Sequence, residues 1–155
     1  MHSVLFVCNG NTFRSMIAHH CFQKASKGKY RVGSAGLLAF SDNEGVRKDI
    51  YQELRKLGIR TQHHRRKCTK KLCASFDLVI AMSTDHQKKL RKMGVPHKLY
   101  HELCGQGHKP VLDVEEAMKN PTDKQVDRYC RNMVHHLHKS MPKLLKGVEK
   151  QWNDL

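Results

Sequence analysis

Short apolar runs alternate along this chain with longer stretches in which apolar residues recur every three or four positions. Ser3-Val4-Leu5-Phe6-Val7 predicts a buried strand. Met16 to Lys27 predicts a helix that gathers Ile17, Ala18, Cys21, Phe22 and Ala25 on one face and stops at Lys27-Gly28-Lys29. Tyr30 to Ser34 is a second candidate strand, closed by Ala35-Gly36. From Asp42 or Asn43 to Leu57 the period is helical again, through Val46, Ile50, Leu54 and Leu57, with Gly58 as the C-terminal stop. Phe76 to Met82 predicts a third strand, and Ser83 caps a helix that runs to Met93 and ends at Gly94. His97 to Tyr100 is a fourth strand, and Glu102 to Ala117 is mostly loop. Beyond Asn120-Pro121, Val126, Tyr129, Cys130, Met133, Val134, Leu137, Met141, Leu144 and Leu145 mark a long amphipathic helix that Pro142 kinks or divides.

Strands of this length separated by helices of ten or more residues predict an α/β fold. The expected form is an open four-stranded parallel sheet with helices on both faces. No repeat, low-complexity stretch or linker divides the sequence, and 155 residues suit a single domain over 1–155. In such sheets ligands bind beyond the carboxyl ends of the strands. The segment from Cys8 to Ser15 falls at that edge.

That segment, Cys8-Asn9-Gly10-Asn11-Thr12-Phe13-Arg14-Ser15, joins a strand to a helix. A loop of this length can curl so that its N–H groups converge, with Gly10 and Asn11 taking the left-handed backbone the curl needs. The helix N-terminus adds free donors and partial positive charge, which makes an anion nest. A thiolate at its centre is stabilised, so Cys8 is the expected nucleophile. Arg14 presents a planar fork that matches two phosphate oxygens. Ser15 is placed to donate a hydrogen bond to the sulfur. Asn9, Gly10, Asn11, Thr12, Phe13 and Ser15 are the expected substrate-binding positions.

Charge fits an anionic partner. There are 29 Lys plus Arg against 14 Asp plus Glu, a formal net charge of +15, and 12 His. The clusters at His63-His64-Arg65-Arg66-Lys67, Lys70-Lys71 and Lys88 to Lys92 lack the interleaved aromatics of a single-strand nucleic-acid platform. They suit acidic partners. At 39% hydrophobic the composition is that of a folded chain, and no apolar run nears the ~20 residues that span a bilayer. The amino terminus lacks the features of a signal peptide, which makes a cytoplasmic location and free thiols at the six cysteines the expectation. The histidines at 19–20 and 135–138 read as solvated helix faces, with no convergent metal-ligand set.

VLFVCNGNTFRS resembles the signature of the low-molecular-weight protein tyrosine phosphatases, whose fold is shared with thioredoxin-coupled arsenate reductases. Ser34-Ala35-Gly36, Leu57-Gly58-Ile59, His63, Arg66 and Phe76 to Met82 extend the resemblance over essentially the whole chain. It implies a phosphatase that needs no cofactor or metal and acts on a phosphorylated protein or small phosphate ester, as a monomer or weak dimer. It implies Cys8 as the residue that becomes phosphorylated, Arg14 as the phosphate ligand, Asn11 as the loop-shaping asparagine, Ser15 as the thiolate-stabilising serine and His63 as a support of the loop. The family's general acid stands in an Asp-Pro pair that this chain lacks. Its region reads Val111-Leu112-Asp113-Val114-Glu115-Glu116, with Asp113 the first candidate and Glu116 the second. Met16 replaces the usual proline, Asn9 a usual apolar residue, and Phe13 the second loop cysteine of many relatives. Phe40 and Met118 are candidates for the cleft wall. Two alternatives remain open: an arsenate reductase relaying oxidation to Cys68 and Cys73, and a weakly catalytic phosphoanion-binding protein.

Overall fold

A computed structural model describes residues 1–38, 45–105 and 109–153. Its sheet has four parallel strands: β1 (Ser3–Cys8), β2 (Arg31–Gly36), β3 (Leu78–Ala81) and β4 (Lys98–Leu99), in the order β2-β1-β3-β4. The helices are α1 (Arg14–Ala25), α2 (Lys48–Lys56), α3 (Lys70–Ala74), α4 (Thr84–Lys92), α5 (Tyr100–Leu103), α6 (Val114–Ala117) and α7 (Asp123–Asn153). The chain leaves β1 toward β2 on one side and returns to β3 on the other, so β1 lies at the switch point where a crevice opens.

Alternation along β1 divides the interior into two cores. Val4, Phe6 and Cys8 face Ile17 and Phe22 of α1, Ile50 and Leu54 of α2, and the apolar stripe of α7. Leu5 and Val7 face the opposite core with Cys68, Cys73, Leu90 and Leu99. Every residue of β1 is buried, which is why its sequence is a continuous apolar run rather than an alternating one. The register pairs Cys8 with Gly36 and Val7 with Ala81, which sets Cys8 at the carboxyl edge.

The four strands and the large helices lie where the hydrophobic pattern predicts them, with shifted ends. Arg14 opens α1 two residues early, so the helix N-terminus itself carries the candidate clamp. The predicted start of α2 at Asp42 or Asn43 lies outside the described residues, and 45–47 precede the helix. The 102–117 stretch is less loop-like than its glycines and proline suggest, for it holds the end of α5 and all of α6. Both are four-residue turns, too short for periodicity to register.

Pro142 neither ends nor divides the last helix. A proline inside a helix costs about 3 kcal/mol, yet Met141, Leu144 and Val148 extend the buried stripe past it. Gly147 explains how closely α7 packs. A Cβ there would collide with the Leu103 carbonyl oxygen of α5. The buried polar pair beneath is satisfied, with Tyr100 Oη 2.6 Å from Ser140 Oγ and Ser140 donating to the Leu137 carbonyl. Among the described residues no helix is long and apolar enough to cross a membrane.

Candidate active site

The loop after β1 is shaped by Asn11. Its φ of 55° is left-handed, a region asparagine tolerates better than most residues. Gly10 has no positive φ, so the expectation that it supplies part of the turn is corrected: Asn11 alone does so among residues 8–15. The Asn11 side chain is fully buried and every polar atom on it is used. Oδ1 accepts from the Arg66 amide at 3.1 Å, and Nδ2 donates to Ser15 Oγ at 2.9 Å. His63 Nε2 lies 2.9 Å from the Asn11 carbonyl and 3.2 Å from Oδ1. Both are oxygen acceptors, so His63 carries its proton on Nε2.

Cys8 is nearly inaccessible, at 3% exposure. Its Sγ receives the Asn11 amide at 3.3 Å and lies 2.8 Å from Ser15 Oγ. Because Ser15 Oγ accepts from Asn11, its hydroxyl proton is free to point at the sulfur. Asn9 is tied to the other side of the crevice by Lys89 Nζ, which donates to its Oδ1 at 3.0 Å. Thr12 and Phe13 complete the turn half-buried, and Phe13 packs near Tyr129 with ring centroids 6.2 Å apart.

Arg14 is also buried, with 2% exposed. Its Nη1 donates to the Val111 carbonyl at 3.0 Å and lies 3.5 Å from Glu116 Oε1. Its Nη2 reaches Asp113 Oδ2 at 3.4 Å and approaches His86 Nε2 at 3.3 Å. Asp113 is the N-cap of α6 and forms a capping box with Glu116: Oδ1 accepts from the Val114 amide at 2.7 Å, while Glu116 Oε1 accepts from the Asp113 amide at 3.2 Å. Both candidate acids therefore converge on Arg14. The capping box fastens Asp113 to the first turn of α6 in a loop that has no proline after the aspartate.

The family model described as "Low molecular weight phosphotyrosine protein phosphatase" matches residues 3–154. The chain belongs to this family. The mouse enzyme of the same description is 33% identical over 95 residues, 58% of this chain and 60% of its own length. The chain thus aligns with about three fifths of that curated relative. A YwlE mutant from Bacillus subtilis superposes with a TM-score of 0.76 at 27% identity, covering 99% of each chain. The YwlE arginine phosphatase from Geobacillus stearothermophilus shares the fold, with a TM-score of 0.78 at 18% identity over 99% of this chain and 97% of its own.

Several groups in this family member depart from expectation. His19 and His20 are not a solvated face. Their rings stack at 4.1 Å, half-buried, and His20 Nε2 lies 3.1 Å from His63 Nδ1. Successive helical residues diverge, but the basic segment after α2 passes beside the middle of α1 and sets the His63 ring 6.0 Å from that of His19 and 5.2 Å from that of His20. Burial, with His20, His63 and Arg66 nearby, lowers His19 to about 2. Burial and His63 lower His20 to about 4. All three rings are neutral near pH 7, His63 being lowered by burial as well. Cys68 and Cys73 do meet, with sulfurs 3.4 Å apart, but in the core on the other face of the sheet from Cys8. Phe40 lies outside the described residues, and Met118 ends α6 half-buried.

His86 and Lys89 are the contacts with the loop that the sequence did not disclose. Ser83 announces α4, and positions 83, 86 and 89 share a face by their spacing. Nothing in that spacing ties the face to Asn9 and Arg14, which lie more than seventy residues earlier.

Proposed function

We propose that this chain is a cysteine-dependent phosphatase that hydrolyses phosphate monoesters, foremost phosphotyrosine in proteins, through a phosphocysteine intermediate. The observation that carries the reading is the Cys8 sulfur held between the Asn11 amide and Ser15 Oγ at the mouth of α1, with Arg14 on the first residue of that helix.

The substrate phosphoryl group sits in the curl from Asn9 to Ser15 and against Arg14, which offers a two-pronged donor to its oxygens. Cys8 attacks phosphorus, and the bond from phosphorus to the ester oxygen breaks. Asp113 gives its proton to the departing oxygen, and as a carboxylate it then takes a proton from the water that cleaves the phosphocysteine. Both carboxylates reach Arg14, but Asp113 is preferred over Glu116 because its Oδ2 is separate from the Oδ1 that caps Val114, whereas the Glu116 oxygen near Arg14, Oε1, is the one that accepts from the Asp113 amide. Ser15 stabilises the thiolate as it forms and leaves. Asn11 and His63 hold the loop in its curled shape. The positive field comes from backbone donors and Arg14, so the mechanism calls for no metal.

The partner is a phosphorylated protein or small phosphate ester, steered by the basic segments when it is acidic. The enzyme acts in the cytoplasm as a monomer or weak dimer. The decisive assay is hydrolysis of p-nitrophenyl phosphate, with phosphotyrosine and phosphoarginine peptides run beside it, for wild type and Cys8→Ser. Turnover that vanishes in Cys8→Ser carries the proposal, and the faster peptide identifies the substrate class. Phosphate binding without turnover in folded wild type would instead make the chain a phosphoanion-binding protein.

A further inference from the structure

Beside the phosphate loop, His19 and His20 on α1 and His63 in the segment after α2 each bring one ring nitrogen within 4.8 Å of the others. The rings border an open cavity of about 340 Å³ that Ser34, Gln62, His64 and Arg66 also line. We propose that this cluster is a binding site for a divalent transition ion of the zinc class, with three imidazole ligands and one position open to water.

The donor chemistry fits, since neutral imidazole suits zinc and its neighbours in the first transition row. The spacing is close. Tetrahedral zinc with bonds of about 2.0–2.1 Å to nitrogen sets its ligands about 3.3 Å apart. His20 Nε2 and His63 Nδ1 are already 3.1 Å apart. The widest gap in the trio, at most 4.8 Å, needs to close by up to roughly 1.5 Å, which rotation of the half-buried rings out of the His19–His20 stack supplies.

The surroundings supply the outer partners that metal-bound histidines require. His63 donates from Nε2 to the Asn11 carbonyl, which leaves a lone pair on Nδ1 facing His20. A backbone carbonyl behind a ligating ring is the arrangement that fixes its tautomer. Ser34 Oγ, 2.8 Å from His19 Nδ1, anchors that ring. Without an ion, the His20 Nε2 proton bridges to His63; with one, that proton moves to His20 Nδ1 and the ion takes its place. The Arg66 guanidinium opposes a cation here, but its Nε is bound to the Ser34 carbonyl at 3.1 Å and its head lies over the Phe76 ring. Because His63 also holds Asn11, an ion in this site would lock the tautomer on which the phosphate loop rests.

The test is a titration of chelator-treated full-length protein with Co²⁺ and Zn²⁺, free of phosphate and phosphate esters, so its outcome is independent of the catalytic reading. One Co²⁺ per chain should bind with the visible spectrum of a tetrahedral nitrogen site and no thiolate charge-transfer band. His19→Gln and His20→Gln should each weaken Zn²⁺ by at least ~10–100-fold, the loss seen when only an outer partner of a ligand is removed. His138→Gln, at an exposed position of α7, should leave it unchanged. The imidazole nitrogen resonances of His19, His20 and His63 in wild type should shift together at one equivalent of Zn²⁺, a readout that needs no variant to fold. Unchanged affinity in both folded variants, absence of shifts at the three rings, or a thiolate band abolished by Cys8→Ser would overturn the proposal.

Discussion

Asn11 Nδ2 donates to Ser15 Oγ at 2.9 Å, and this one bond decides where the serine proton goes. With its lone pair engaged there, the Ser15 hydroxyl points at Cys8 Sγ, 2.8 Å away. Hydrogen bonds to charged groups contribute about 1.5–3 kcal/mol, which corresponds to about 10–100-fold in rate. Ser15→Ala should therefore lower kcat by that factor while leaving KM within a few-fold, because the phosphate ligands are intact. Steady-state and pre-steady-state kinetics on p-nitrophenyl phosphate check it. A loss confined to KM would mean that Ser15 binds substrate and does not act on the sulfur.

The sequence ranks Asp113 ahead of Glu116, and the capping box gives the two carboxylates different tasks. Loss of a positioned general acid costs ~10²–10⁴-fold. Asp113→Asn should show that loss on phenyl phosphate and on phosphotyrosine peptides, whose leaving oxygens need a proton. It should show much less with p-nitrophenol, which leaves without help. Glu116→Gln keeps an oxygen for the Asp113 amide and should fall by less than ~10-fold on both substrates, the low side of general-acid effects. The reverse ranking would transfer the role to Glu116.

What the sequence disclosed about this site follows from locality. Cys8, Asn11, Arg14 and Ser15 lie within eight residues, so strand, turn and helix signals alone assemble them. Asp113 and Glu116 are legible as first and second candidates, but the structural ground for the choice is a four-residue helix whose cap is too local for periodicity to show. The clustering of His19, His20 and His63 escapes the sequence for a related reason. Helical spacing predicts divergence of neighbours, and it carries no information about a segment forty residues later passing beside them. Gly147 gave no signal either, since close approach to Leu103 is a property of two distant elements.

Gly147 offers a prediction whose sign opposes helix propensity. Alanine in a helix interior is favoured over glycine by about 1 kcal/mol. At this position the added Cβ would collide with the Leu103 carbonyl, and overpacking of that kind costs about 1–3 kcal/mol. Gly147→Ala should thus be neutral to destabilising by as much as about 2 kcal/mol, with α5 displaced from α7. Urea denaturation measures it. Stabilisation by the full propensity gain would show that the helices are not pressed together here.

His86 makes stability depend on pH in a defined window. It is fully buried, its Nδ1 accepts from the Ser83 amide at 3.1 Å, and its other nitrogen faces Arg14. Burial, with Arg14 and Lys89 nearby, lowers it from 6.5 to about 3. In the unfolded chain the ring takes a proton as pH falls through 6.5; in the folded protein it stays neutral until about 3. Protons therefore favour unfolding across that interval, at about 1.4 kcal/mol per pH unit for one such group. His86→Asn keeps an acceptor for the Ser83 amide and removes the titration. Denaturant titrations at pH 7, 6, 5 and 4.5, in a chelating buffer that silences any ion at the other histidines, should show wild type losing stability faster than the variant at every step below 6.5. Parallel curves for the two proteins would mean that water reaches His86 and that its ring ionises in the folded state as readily as in the unfolded one.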